Sequence, residues 1–336
     1  MSEPILQITN LKKYFEISEG LFSEPKYVKA VDDVSFDLDK GEAISLVGES
    51  GSGKTTLGMT ILRLHDATDG KIIFDGRDIT NLNSNELMWY RKKAALVQQD
   101  PFGALPSFMS IRRVLEEPLI IHKLGDKEER IEKVNKSLEE VRLTPIEDFA
   151  PKYPHMLSGG QLQRVAIARA LILDPELVIA DEPVSMLDAS VRIEILTLMR
   201  ELQEKKRISF LYITHNLALT KYFSERLFIM YAGKVVEAGN IKEVIEEPLH
   251  PYTEALMKAI PDPDPDNRHK IRKIPKGEPP SLLSPPEGCR FHPRCQYYMP
   301  EVCKQEPPVH HRKKEGFALC WLYEKGRSLN YNNELN

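Results

Sequence analysis

Gly48-Glu49-Ser50-Gly51-Ser52-Gly53-Lys54-Thr55 is the stretch on which the reading of this chain turns. An apolar run, Ala43–Val47, comes before it, and a helical segment begins near Thr56. Strand, glycine-rich turn and helix in that order form a phosphate-binding loop. Three glycines let the backbone turn tightly enough for successive N–H groups to face phosphate oxygens, with the positive end of the next helix beneath them. Lys54 offers a point charge to the β and γ phosphates, and the Thr55 hydroxyl is placed to ligate Mg2+. A glycine-rich turn without a ligand is the plainer alternative, and the strand and helix on either side argue against it.

Composition sets the frame. A chain of 336 residues has room for one large domain and a smaller one. With 29% charged and 41% hydrophobic residues, it should form a folded core under a charged surface. A net charge of −4 gives no electrostatic case for nucleic acid. The cluster Arg91-Lys92-Lys93 reads as a solvated helix face. No apolar run approaches the ~18 residues of a membrane span. Met1-Ser2-Glu3-Pro4 lacks the basic and apolar parts of a signal peptide, so the cytoplasm is the expected compartment.

Working outward, residues 5–10 and 34–39 alternate as strands of an antiparallel sheet ahead of the loop. The segment from Leu11 to Phe15 ends the first strand, and residues 16–26 read as an exposed loop. Tyr14 or Phe15 could stack on a purine ring or belong to the small sheet's core. Ile72-Ile73-Phe74 is a strand entering a turn at Asp75-Gly76. Residues 94–97 form another, halted at Gln98-Gln99-Asp100-Pro101 because proline forces its predecessor extended. Residues 111–141 are mostly helical, with Ile131, Val134, Leu138 and Val141 at helical spacing.

Leu157-Ser158-Gly159-Gly160-Gln161 then runs into an amphipathic helix over 162–173, a second helix N-terminus with bare N–H groups for an anion. Capping alone accounts for Ser158. It does not account for two glycines that clear side chains from the approach. Residues 177–180 read as a strand buried on both faces, and it delivers Asp181-Glu182 to the sheet edge where ligands of α/β proteins gather. Adjacent acids there suit metal and water chemistry. Residues 208–214 repeat the design and end at His215, which in isolation reads as structural.

In this order the pieces resemble the ATP-binding subunits of ABC transporters, in the oligopeptide and dipeptide importer group, most of all its F-type subunit. The resemblance spans nearly the whole chain. LSGGQ at 157–161 is the family signature, and Gln99, Asp181-Glu182, Asp188 and His215 accompany it. The segments Val47-Gly48-Glu49-Ser50-Gly51-Ser52-Gly53-Lys54 and Asp181-Glu182-Pro183-Val184-Ser185 look like the peptide-importer subgroup. The implied fold is an α/β P-loop NTPase with a RecA-like, mostly parallel sheet. An N-terminal antiparallel β-subdomain, a helical insertion over about residues 100–170 and a small irregular C-terminal domain complete it. Residues 1–260 would form the nucleotide-binding domain and 261–336 a linker and cysteine-bearing tail.

The resemblance also implies roles. Gly48, Glu49, Ser50, Gly51, Ser52, Gly53, Lys54, Thr55 and Thr56 would hold the ATP phosphates, and Phe15, or else Tyr14, would stack on adenine. Thr55, Gln99 and Asp181 would surround Mg2+, and Gln99 would also approach the attacking water as a catalytic residue. Glu182 would be the general base for the attacking water, and His215 would contact the γ-phosphate. Ser158, Gly159, Gly160 and Gln161, with Asp188, would serve a second subunit's nucleotide in a head-to-tail pair that closes on ATP. Expected partners are a sister ATPase subunit in a heterodimer, two transmembrane permease subunits and a solute-binding protein, with this chain at the cytoplasmic face of the membrane. Peptides are the expected cargo, with oligosaccharides or nickel chelates as alternatives. A soluble ABC ATPase would carry two such units or a long coiled coil, and a P-loop kinase has no use for LSGGQ. Two features depart from the subgroup. Phe102-Gly103-Ala104-Leu105-Pro106 stands where a serine- or asparagine-rich segment is common, and Met186 replaces a small residue before Leu187.

Pro261-Asp262-Pro263-Asp264-Pro265 reads as a stiff, extended linker. All four cysteines, Cys289, Cys295, Cys303 and Cys320, follow it, which argues for one shared site. Disulfides do not suit a reducing compartment. Zinc remains an option, although its ligands usually come in closer pairs. The resemblance favours a structural 4Fe-4S cluster.

Overall fold

A computed structural model describes residues 4–18, 24–260, 275, 277–311 and 316–324. The linker read at 261–265 lies outside the described residues. Strands run, in chain order, Leu6–Ile17 (β1), Lys26–Leu38 (β2), Ala43–Val47 (β3), Asp69–Phe74 (β4), Arg77–Asp78 (β5) and Ala94–Val97 (β6). They continue with Leu177–Asp181 (β7), Ser209–Thr214 (β8), Arg226–Tyr231 (β9), Lys234–Asn240 (β10), Val309–His311 (β11) and Gly316–Leu319 (β12). One sheet is antiparallel, in the order β2-β1-β4-β5, and the larger follows β11-β12-β10-β9-β3-β8-β7-β6.

β1 outruns the strand that its sequence suggests. Residues past Leu11 stay paired, Tyr14 with Lys29 and Ile17 with Lys26. That end is half-exposed and leaves the core, so apolar alternation fades although the ladder continues.

The larger sheet is parallel from β9 through β3, β8 and β7 to β6. Successive side chains point to opposite faces of a strand, and both faces here are covered. Ile44, Leu46, Leu177, Ile179, Leu211 and Ile213 pack with the antiparallel sheet's Leu6, Ile8 and Phe74. Their neighbours Ala43, Val178, Ala180, Phe210 and Tyr212 pack on the other face with helical residues such as Leu162, Val165 and Leu198. Fully burying one such aliphatic side chain is worth about 1.5–3 kcal/mol, and that explains the unbroken apolar runs.

The helical insertion forms where its periodicity placed it, over Ile111–Ile121 and Lys127–Glu140. Ser110 caps the first helix, and Asp126 with Glu129 forms a capping box on the second. Val134, Leu138 and Val141 are buried. Among the described residues, no helix is long and apolar enough to cross a membrane.

The irregular tail contributes β11 and β12, which join the larger sheet through β10, with Ala238 paired to Phe317. The tail cysteines require a correction. Among the described residues, no group of three or more His, Cys, Asp or Glu side chains is arranged to hold a metal ion. Cys289 and Cys295 pack against an apolar cluster with Tyr252 and Phe291, and the Cys303 sulfur accepts a hydrogen bond from the Met299 amide. Burial pushes the Cys289 thiol up to about 11 and those of Cys295 and Cys320 up to about 12. Burial disfavours their thiolate forms, and such thiols pack as small apolar groups. Neither the iron-sulfur cluster nor zinc is supported.

Candidate nucleotide site

Parallel pairing brings the carboxyl ends of the central strands to one edge, and register decides what lines up there. Val47 pairs with Thr214, Asp181 with Ile213, and Val97 with Ala180. Gly48, Glu182, His215 and Gln99 therefore leave the sheet within a residue or two of a common line. This is the edge where open α/β sheets bind ligands.

Close packing fixes the loop's shape. A Cβ on Gly48 would lie 2.1 Å from the Met230 carbonyl oxygen. Gly53 has φ 103°, and a Cβ there would lie 2.0 Å from the Ala30 carbonyl oxygen. Left-handed Gly53 provides no side-chain cap to the helix Lys54–Ile61, so the first N–H groups of that helix keep their capacity for an anion. Lys54 is 5% exposed and donates to the carbonyls of Gly48 at 2.8 Å and Glu49 at 2.9 Å. Burial lowers its pKa, opposed by the charges of Glu182, Asp181 and Glu49.

Asp181 is 6% exposed, and its Oδ1 has no hydrogen-bond partner among the described residues. Burial raises its pKa and Glu182 adds to the rise, while a hydrogen bond from Thr55 and the charge of Lys54 oppose it. A buried carboxylate oxygen left unpaired beside a threonine hydroxyl suits a hard, oxygen-seeking divalent cation. Thr55 and Asp181 are thus a fitting pair of Mg2+ ligands.

Glu182 holds a left-handed backbone with φ 47°, and its amide donates to the Ile213 carbonyl at 2.8 Å. Such a conformation costs a non-glycine residue about 1–3 kcal/mol and is concentrated at functional sites. It swings the carboxylate to 2.9 Å from His215 Nδ1. The His215 side chain is 58% exposed and that of Glu182 17%, so the pair faces outward from a closed base. Behind it lies a cavity of about 50 Å³ into which Tyr212 and Arg192 reach.

The other sequence-derived residues fall into separate groups. Gln99 is exposed two residues past β6. Ser158 and Gln161 cap their own helix, Gly159–Leu171, with contacts of 3.3 and 3.0 Å. That helix starts at Gly159, earlier than the periodicity suggested, because the glycines form its first turn. A Cβ on Gly160 would press to 2.7 Å from Val191, so close helix packing also demands glycine there. Gly159 and Gly160 face Leu187 and Val191, on either side of exposed Asp188. The Tyr14 hydroxyl donates to the Asp32 carboxylate. Phe15 is half-exposed, its ring edge-on to His65 at 5.5 Å.

Sequence reading missed the residues that hold the loop from outside. The Glu49 amide donates to the Tyr252 hydroxyl at 2.8 Å, and the Glu49 carboxylate accepts from Arg294 at 2.9 Å. Those partners lie 203 and 245 residues downstream, and no local pattern links them to the loop.

Residues 31–185 match the ABC transporter family, and residues 236–303 match the oligopeptide/dipeptide transporter C-terminal region. The oligopeptide transport ATP-binding protein AppF of Bacillus subtilis is 45% identical, over 96% of this chain and 98% of its own. The chain belongs to the oligopeptide/dipeptide group of ABC transporter ATP-binding proteins. As a member of that family it is an ABC-type ATPase. The dipeptide transport ATP-binding protein DppF of Haemophilus influenzae is 41% identical, over 95% of this chain and 97% of its own. Among solved structures, the dimeric post-hydrolysis state of the ATP-binding cassette MJ0796, bound to ADP and Pi, matches with TM-score 0.63 and 30% identity. That match covers 70% of this chain and 98% of the other.

Proposed function

We propose that this chain is the ATP-binding and ATP-hydrolysing subunit that energises a membrane importer of di- and oligopeptides. The observation that carries the reading is the 2.9 Å contact between Glu182 and His215, on the strand edge that also presents buried Lys54 and half-satisfied Asp181. The names of relatives aligned over nearly the whole chain support the cargo.

In this reading the residues from Gly48 to Thr56 cradle the phosphates, and Lys54 releases its loop carbonyls to meet the β and γ groups. Thr55 and Asp181, with Gln99, hold Mg2+, which when bound offsets phosphate charge. Glu182 orients the attacking water and takes its proton, and His215 steadies both Glu182 and the γ-phosphate. Phe15 stacks on adenine, because the Tyr14 hydroxyl is committed to Asp32. Ser158, Gly159, Gly160 and Gln161, with Asp188, complete the site of a sister subunit in a heterodimer. Residues 1–260 act as the nucleotide-binding domain, with the helical part at about 100–170, and 261–336 as the tail domain. The subunit sits at the cytoplasmic face of the membrane, held by two permease subunits that a solute-binding protein supplies.

Glu182→Gln tests the reading. It should leave ATP affinity within about threefold of wild type and lower the hydrolysis rate by at least about 100-fold, the usual reach of a general base. Turnover near the wild-type rate would remove Glu182 from that role.

A further inference from the structure

The tail touches the phosphate loop through one arginine. Arg294 ends a short turn, His292–Arg294, and donates to Glu49 at 2.9 Å and to the Tyr231 hydroxyl at 3.2 Å. Its guanidinium lies 5.9 Å from the ring centres of both Tyr231 and Phe291. The side chain is 9% exposed, and its Nε has no hydrogen-bond partner among the described residues. Burial opposes the cation, but Glu49 and Tyr231 outweigh it, and Arg294 keeps its charge. Four residues earlier, Arg290 pairs with Asp32, the acceptor of the Tyr14 hydroxyl, and donates to the Ala232 carbonyl. Gly233, next in the chain, donates its amide to the Ser52 carbonyl at 2.8 Å. Two buried tail arginines thus brace the aromatic wall and the phosphate wall of one site.

Glu49 is the unusual member. A carboxylate in a loop that must receive a polyanion opposes its own ligand. All three of its polar groups are engaged: the amide with Tyr252, the carbonyl with Lys54, the carboxylate with Arg294. We propose that Arg294 is a positioning residue for the phosphate loop, neutralising the Glu49 carboxylate and holding it aside so that the loop accepts a triphosphate. The tail is then an electrostatic part of the nucleotide site. This rests on the ATPase reading given above.

One uncompensated charge about 8 Å from a phosphate, at an effective dielectric constant of about 40, weakens binding roughly fivefold. The test measures the dissociation constant for ATP with the full-length protein, without hydrolysis, alongside thermal unfolding. Arg294→Gln should weaken ATP binding about fivefold, and Glu49→Gln should tighten it by a similar factor. The double variant should return to within about twofold of wild type, and Arg294→Lys, which keeps the charge, should stay close to wild type. A purely structural contact predicts instead that the double variant is as weak as Arg294→Gln, and that result would overturn the proposal. Weaker binding by Glu49→Gln would do the same, and it decides the matter even if Arg294→Gln does not fold. Failure of the wild-type protein itself to bind ATP would instead sink the underlying ATPase reading.

Discussion

Replacing Asp181 by asparagine should stabilise the nucleotide-free protein while destroying its activity. Asp181 is buried at the end of β7 with one oxygen unpaired among the described residues, and burial raises its pKa above the ordinary 3.8. At neutral pH the ionised carboxylate is only partly satisfied, and a buried acceptor left unmet costs about 1–3 kcal/mol. Asparagine keeps the shape and an oxygen for the Thr55 hydroxyl, and it sheds the charge. A net gain of about 1–2 kcal/mol follows from no longer burying a charge, and it is less than the full penalty because the attraction to Lys54 is lost and the new amide nitrogen has no partner. With an unfolding entropy of about 2.1 cal/mol/K per residue, a chain this long should melt about 1–3 °C higher.

The sign of the pH dependence is fixed by the direction of that shift. The folded protein binds the Asp181 proton more tightly than the unfolded chain does. The penalty is therefore absent where both states are protonated, below the ordinary carboxylate pKa, and grows as pH rises through the folded value. Scanning calorimetry in buffer free of Mg2+ and nucleotide should show the Asp181→Asn advantage at pH 7 and its disappearance toward about pH 4. Added Mg2+ and ATP should stabilise the wild type more than the variant. A lower midpoint for the variant at pH 7, or a gain that persists at low pH, would refute the argument.

Two other substitutions separate backbone geometry from chemistry. Gly53→Ala meets both a left-handed φ and an oxygen 2.0 Å away, whereas Gly51→Ala meets only a φ of 75° with open space around it. Equilibrium ATP titration should show binding lost in the first, and the second should carry a strain of only about 1–2 kcal/mol. Ser158→Ala removes a cap worth about 1 kcal/mol, which denaturant unfolding of the isolated subunit should show with little change in its ATP affinity.

What the sequence made legible was whatever is encoded locally. The loop from Gly48 to Thr55 announces itself because strand, glycines and lysine are contiguous. The strands that end at Asp181 and just before His215 do so because burial on both faces leaves a continuous apolar run. The left-handed backbone at Glu182 gave no signal, since glutamate rarely takes that conformation and only surrounding packing can impose it. The far half of β1 escaped because a half-exposed ladder needs no alternation. The cysteines misled for the opposite reason: proximity in sequence is not a coordination geometry, and Cys289 and Cys295 pack instead against an apolar cluster. Ser158 and Gly160 carry local structural duties as well, a cap and a helix crossing, so their residue types alone cannot separate structure from function.

The features the sequence could not reveal share one physical character. Glu182 is strained, Asp181 has an unpaired oxygen, and Lys54 is buried with its charge disfavoured. Each is unfavourable in the isolated chain, and in the proposed reading a phosphate-bearing ligand with its cation would meet Lys54 and Asp181. A site built this way is most stable when loaded, so binding energy can drive its rearrangement by as much as the loaded and free states differ. The buried arginines work in the other direction. Arg290 and Arg294 neutralise Asp32 and Glu49 permanently, from a tail that sequence order places far from the loop. In the proposed reading the molecule thus compensates Asp32 and Glu49 from within and leaves Asp181, only partly offset by Thr55 and Lys54, for a ligand-borne cation to meet.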